Sequence, residues 1–368
     1  MVAELSAMPL MTDFNRVERF YSGGNLLDKW QGIDERADGF MSEEFLVSTT
    51  EYIGTGNPPE KGISRVIVPE TGKKNLHVLI NGNKKMFLGN RYEASCHGHT
   101  GVQLRVGDSA SRLIIQCHPN DEQAKKFFKI PFGKTEAWYM VDTRAINGEK
   151  AHVYCGFKPG ITREKWVKLF ENQDSQAMLE SLHRFEVKPG DCFLIKAGTP
   201  HAIGSGCLFI ELHQPCDVTL RMERNYTPQL LTDEEMHYGA GFETLFDCFE
   251  YIGRDREETF AAVCMKPREK NQTEGGELCA LIKYEDTNAF SMKKLILNGI
   301  CSLPPFEGHY LLAVVKGKVM LEYETGSLTV SQGRGVFVPA GCRAISASGK
   351  AELIIAYPYQ QTKDQEYK

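Results

Sequence analysis

The stretch Gly190-Asp191-Cys192-Phe193-Leu194-Ile195-Lys196-Ala197-Gly198 reads as a turn glycine, a short apolar strand and a second tight turn. The same pattern returns as Gly333-Arg334-Gly335-Val336-Phe337-Val338-Pro339-Ala340-Gly341. A further apolar strand follows each copy, over 207–212 and 352–357. Short strands at this spacing, punctuated by glycine turns, predict a sandwich or small barrel, built twice.

Working outward, the strands continue. Runs at 43–48, 102–106, 112–118, 134–141, 152–157 and 217–221 have strand character. A strand is expected at 76–80, closed by an Asn81-Gly82 hairpin turn. Another is expected at 259–265, and 266–277 reads as a polar linker. Residues 310–321 read as a hairpin turning at Lys316-Gly317-Lys318. The exception is 162–182, where Trp166, Val167, Leu169 and Phe170, then Ala177, Met178, Leu179 and Leu182, recur at helical spacing behind Thr162 as N-cap. The expected layout is an N-terminal unit over 1–265 with a small helical insert at about 162–183, and a C-terminal unit over 280–359. The polar tail from Gln360 is expected to be mobile.

Bulk properties narrow the function. The 368 residues are 42% hydrophobic and 25% charged, ample for a folded core. A net charge of -5 argues against a nucleic-acid partner. No apolar run is long enough to span a membrane, and the N-terminus lacks a signal-peptide pattern. Eleven cysteines are scattered singly with no CxxC pair, which fits reduced thiols and a cytoplasmic setting.

One strand end carries chemistry. In Leu113-Ile114-Ile115-Gln116-Cys117-His118-Pro119-Asn120-Asp121-Glu122, Gln116 and His118 are two apart, so an amide oxygen and an imidazole enter one pocket from the same strand face. Lys134, Glu136 and Trp138 likewise share a face, as do Phe209, Glu211 and His213, and Asp217, Thr219 and Arg221.

The strand–turn–strand unit with a histidine after the turn resembles a cupin, and two copies resemble a bicupin, two double-stranded β-helix (jelly-roll) barrels in a mainly β protein. The blocks at 113–122, Gly133-Lys134-Thr135-Glu136-Ala137-Trp138-Tyr139, Ala197-Gly198-Thr199-Pro200-His201-Ala202-Ile203-Gly204 and Gln214-Pro215-Cys216-Asp217-Val218-Thr219-Leu220-Arg221 resemble, in order, those of the type I mannose-6-phosphate isomerase family. Weaker blocks fit at Gly23-Gly24 with Leu27, and at Glu43, Phe45 and Ser48. The resemblance covers most of the first 225 residues.

This resemblance implies a metal shell of Gln116, His118, Glu136 and His201. The metal would be Zn²⁺, although the mixed N/O set also suits Mn²⁺, Fe²⁺ or Ni²⁺. The implied reaction is aldose–ketose isomerisation of mannose 6-phosphate to fructose 6-phosphate. Arg221 would stabilise the enediolate, with Lys134 and Glu211 carrying protons or binding sugar hydroxyls. His97 and His99 form a competing pair in a loop. In the second copy the histidine position falls near Cys342-Arg343, so that copy is expected to be structural and to share a core with the first. The chain departs from the family at Ile114, where a serine is usual, and at Arg105, where a lysine is usual. Arg105, Lys196 and Arg224 are the alternative phosphate ligands. An isomerase of a different or unphosphorylated sugar, and a non-catalytic sugar-binding cupin, stand as alternatives.

Overall fold

Alternation along the strands sorts side chains between an enclosed polar interior and two apolar outer layers. The computed structural model describes residues 2–34, 37–52, 58–68, 71–226 and 230–359; the tail from Gln360 lies outside them. The chain is mainly β. A seven-stranded antiparallel sheet runs in the order Cys264–Met265, Cys192–Ile195, Glu136–Thr143, Cys207–His213, Gln103–Ser109, Glu43–Val47, Arg16–Val17. A five-stranded sheet runs Leu182–Glu186, His152–Phe157, His201–Ile203, Gln116–Cys117, Leu220–Arg221. The C-terminal residues, with the N-terminal strand Leu10–Met11 at one edge, form an eight-stranded sheet whose centre is Tyr310–Tyr323, Ser346–Pro358 and Phe290–Ser302.

Each strand feeds two layers. In Glu136–Thr143, Ala137 and Tyr139 join a core that continues into Leu281, Met292, Leu311, Phe337 and Ile354 of the C-terminal sheet. Trp138 and Met140, on the other face, pack with Val153, Phe193 and Phe209 between the N-terminal sheets. This apolar layer joins the seven-stranded sheet to the eight-stranded sheet; at ~25 cal/mol per Å² of buried apolar surface, hydrophobic burial is the main source of that cohesion. On the five-stranded sheet, Cys117, Ala202 and Leu220 face outward onto Trp166, Phe170, Met178, Leu245 and Phe246 of the helical layer.

The helices Arg163–Glu171 and Ser175–Glu180 lie where helical spacing placed them. The Thr162 hydroxyl accepts from Lys165 N at 3.3 Å, and Asp174 caps the second.

Four local readings are corrected. Residues 76–80 lie in a helix, Leu76–Gly82, because the Asn75 side chain caps Val78 N and the apolar positions Leu76 and Ile80 suit a helical face. Residues 259–265 are mostly helix: Arg256–Val263 is started by a capping box of Asp255 and Glu258, leaving only Cys264–Met265 as strand. The expected linker is a hairpin, Arg268–Thr273 with Gly276–Ile282, whose solvent-facing first strand made it read as loop. Lys316-Gly317-Lys318 is no turn; Tyr310–Tyr323 runs on, with a bulge between Val314 and Lys316 and Gly317 at φ 79°. All eleven cysteines are free thiols. No described helix is long and apolar enough to cross a membrane.

Candidate metal centre

Cross-strand register builds the site. Gln116 lies directly opposite His201 on one side and Arg221 on the other, so these three form one row on the inner face of the five-stranded sheet. On the facing sheet, His213 is opposite Glu136, and Glu211 is opposite both Trp138 and Arg105. Two glycines let the connecting loops close in. A Cβ on Gly133 would lie 2.5 Å from the Pro119 carbonyl oxygen, and Lys134 N donates to that same oxygen at 3.0 Å. Gly198, at φ 81°, makes the tight turn before His201 and donates its N–H to His118 O at 2.9 Å.

Between the sheets, His118, Glu136 and His201 bring one ligand atom each to within 4.8 Å of one another. The two imidazole Nε2 atoms each sit 3.2 Å from a different oxygen of Glu136. His118 Nδ1 is 2.9 Å from Val218 O, and His201 Nδ1 is 2.9 Å from Thr199 O. Carbonyls accept only, so each Nδ1 carries the proton and each Nε2 turns a lone pair inward. The Gln116 amide lies 3.1 Å from His201 Nε2. His118 Nε2 is buried and lacks a hydrogen-bond partner of sound geometry. Burial, with the Lys134 charge adding to it, pushes His118 down to about 4, so the ring is neutral, as a ligand must be.

Lys134 bridges two carboxylates, 2.8 Å from Glu136 Oε2 and 2.7 Å from Glu211 Oε1. All three are buried. Burial by itself would raise the Glu136 carboxyl; the Lys134 charge, then the two imidazoles, more than reverse this and hold it well below the ordinary range. Burial by itself would also lower Lys134, yet Glu136 and Glu211 hold it above its usual value. Glu211 behaves differently: burial dominates, and despite Lys134 it is pushed up to about 7. The donor set therefore fits a divalent cation. It holds two oriented imidazoles, one anionic carboxylate and one amide, with an orphaned buried nitrogen at the centre.

Arg221 donates to Glu235 O from the Asp233–His237 helix, and its guanidinium carbon is 5.5 Å from the rings of Phe20 and of Tyr238. With Gln116, Ile114, Thr219, Tyr226 and Arg19 it lines a small cavity of about 20 Å³. Of the residues flagged for phosphate, only Arg105 lies in the wall of this interior. It ion-pairs with Asp217 at 2.7 Å, stacks 3.7 Å from the Phe45 ring centre, and leaves Nε and Nη2 without partners. Lys196 is exposed, and Arg224 pairs with Asp233 beside the helical layer. His99 packs against His77, ring centres 5.1 Å apart, with Nδ1 3.3 Å from Thr49 Oγ1; neither His97 nor His99 belongs to the metal-capable cluster.

Sequence reading missed Arg19 and Tyr21. Both bind Glu43 Oε1, at 3.1 Å and 2.8 Å, and both line the cavity. The available signal was the charge pair itself, one residue in Arg19-Phe20-Tyr21 and the other at the start of the Glu43–Val47 strand, but only the fold brings them together.

Comparison with known proteins gives a consistent picture. Residues 281–358 match the family model described as mannose-6-phosphate isomerase, cupin domain. The mannose-6-phosphate isomerase ManA of Bacillus subtilis is 28% identical over 256 residues, covering 69% of this chain and 73% of the relative. The mannose-6-phosphate isomerase of Streptococcus mutans is 22% identical over 253 residues, covering 69% and 72%. The crystal structure of the Bacillus subtilis mannose 6-phosphate isomerase superposes with a TM-score of 0.72 at 21% identity, over 95% of this chain and 99% of that one. A zinc-bound mannose 6-phosphate isomerase superposes with a TM-score of 0.72 at 16% identity, over 96% and 100%.

Proposed function

We propose that this chain, a member of the mannose-6-phosphate isomerase family, is a metal-dependent aldose–ketose isomerase converting mannose 6-phosphate to fructose 6-phosphate. The observation that carries the reading is the buried, partnerless Nε2 of His118, facing Glu136 within 4.8 Å of the His201 ligand atom. Gln116, His118, Glu136 and His201 would hold the ion, with zinc supported by the zinc-bound neighbour. When bound, the ion supplies Lewis-acid polarisation of sugar oxygens.

The chain's own residues do the rest. In the reaction a proton leaves C2, the hydroxyl hydrogen moves from O2 to O1, and a proton is returned to C1. Lys134 and Glu211, 2.7 Å apart and shut away from bulk water, form the proton-handling pair. Arg221, in the same cross-strand row as Gln116 and His201, supplies a fixed positive charge for the enediolate oxygen. The apolar layers behind both sheets hold these groups in register and keep water out. The apolar side chain of Ile114 in the cavity wall favours one second reading, an isomerase of an unphosphorylated aldose.

Measuring kcat/KM for mannose 6-phosphate and free mannose side by side, on metal-loaded protein, separates the two. The first reading expects at least a tenfold preference for the phosphorylated sugar. Equal rates, or a preference for free mannose, would overturn it.

A further inference from the structure

The contact between the β units is apolar over most of its extent, but at one edge it opens into a cleft of about 530 Å³. That volume lies in the range of small-molecule sites. The N-terminal unit contributes Lys29, Tyr139 and Asp142; the C-terminal sheet contributes Lys294, Lys316 and Glu352. The polar groups are incompletely satisfied by one another. Lys29 reaches Asp142 only at 4.0 Å. The Lys294 ammonium sits 5.8 Å from the Tyr139 ring centre. Lys316 lies opposite Glu352 in the strand register, but that carboxylate is taken by the Tyr139 hydroxyl. Among the described residues, neither Lys294 nor Lys316 has a carboxylate within 4 Å.

The cleft is separate from the metal centre. Tyr139 shares a strand with Glu136, but its side chain points to the opposite face. Three ammonium groups outnumber two carboxylates, so the walls suit an anion. The Asp142 carboxylate and the second oxygen of Glu352 offer acceptors for hydroxyls, while the Gln332 amide in the same wall is engaged by Trp30 O and Gly317 N. A simple inorganic anion would leave most of the volume and these acceptors unused.

We propose that this cleft is a second ligand site, taking a small phosphorylated polyol between the two β units. The lysines hold the phosphate, and Asp142 and Glu352 meet the hydroxyls. The site lies outside the reaction described above, and its occupancy ties the two units together through groups from both.

Titration calorimetry on the metal-loaded full chain tests this with three probes: glucose 1-phosphate, inorganic phosphate and glucose. Glucose 1-phosphate should bind with a Kd at or below the order of 1 mM, tighter than either fragment. Lys294→Ala/Lys316→Ala should weaken it at least tenfold, with turnover of mannose 6-phosphate unchanged. Lys294→Arg should retain binding, and an unshifted thermal midpoint of the double variant separates lost ligand contacts from misfolding. If the double variant does not fold, Lys316→Gln alone should still weaken binding. Equal binding by wild type and variants, phosphate matching glucose 1-phosphate, or no binding of any probe at ~1 mM would overturn the proposal.

Discussion

The N-terminal pair of sheets and the eight-stranded sheet solve the same packing problem with different interiors, the first mixing polar groups with an apolar cluster around Trp138 and Phe209. Between the N-terminal sheets lie His118, Lys134, Glu136, His201, Glu211, His213, Arg105 and Asp217, all buried. Inside the C-terminal sheet lie Leu295, Leu312, Val314, Val319, Val336, Val338 and Leu353. After the turn at Gly198 comes buried His201; after the matching turn at Gly341 come buried Cys342 and exposed Arg343. The strand–turn pattern alone therefore carries no chemistry. Chemistry enters where inward positions hold polar groups that satisfy one another, because an unpaired buried charge is costly. Lys134 between two carboxylates and Arg105 on Asp217 meet that requirement.

Substitutions can break this contrast, and the largest effect is expected in the polar interior. Glu136→Gln removes the anionic ligand and the group between both imidazoles. Bound metal, read by elemental analysis, should drop to substoichiometric levels, and kcat should fall on the order of 1000-fold. Full metal and activity in this variant would erase the distinction between the two interiors. Arg221→Lys keeps the charge but loses the planar fork, and should lower kcat by about 100-fold with a smaller change in KM. A change confined to KM would make Arg221 a binding group only.

The apolar interior should respond in stability alone. Leu353→Ala empties a fully buried position and should cost about 2–5 kcal/mol by urea denaturation. Metal content and the pH profile of kcat should stay as in wild type; loss of metal would show that the two interiors are not independent.

The smallest effect is a pH dependence outside both interiors. Burial, with His77 adding to it, pushes His99 down to about 4 from its ordinary 6.5. The unfolded chain then takes up a proton near pH 6.5 that the folded chain refuses. Its stability contribution is complete above that pH and is lost as pH falls towards 4. His99→Gln should flatten the decline of the urea midpoint over that window; an unchanged slope would remove His99 from the account.

What the sequence made legible follows from range. The turn glycines, the alternation that puts Gln116 and His118 on one face with Cys117 on the other, and the Thr162 cap are local features. Local sterics and hydrogen bonding set them, so they can be read in order along the chain. The helix at Leu76–Gly82 hid because a five-residue stretch with four apolar side chains fits either period, and a side-chain cap from Asn75 decided it. Arg19 and Tyr21 hid for a different reason. Their partner Glu43 is more than twenty residues away, and only the fold brings it beside them. The inter-unit cleft is further still from local reading, since Tyr139 and Glu352 are 213 residues apart.

The central claim is that the polar interior handles a sugar's C2 proton. Proton NMR in D₂O, with one equivalent of Zn²⁺ and mannose 6-phosphate, measures that directly. The C2 hydrogen of mannose 6-phosphate should be lost as fructose 6-phosphate appears, with deuterium entering at C1 of that product or at C2 of recovered mannose 6-phosphate, and Glu136→Gln should abolish both changes. A metal-loaded wild-type protein that leaves the C2 hydrogen in place would contradict the account.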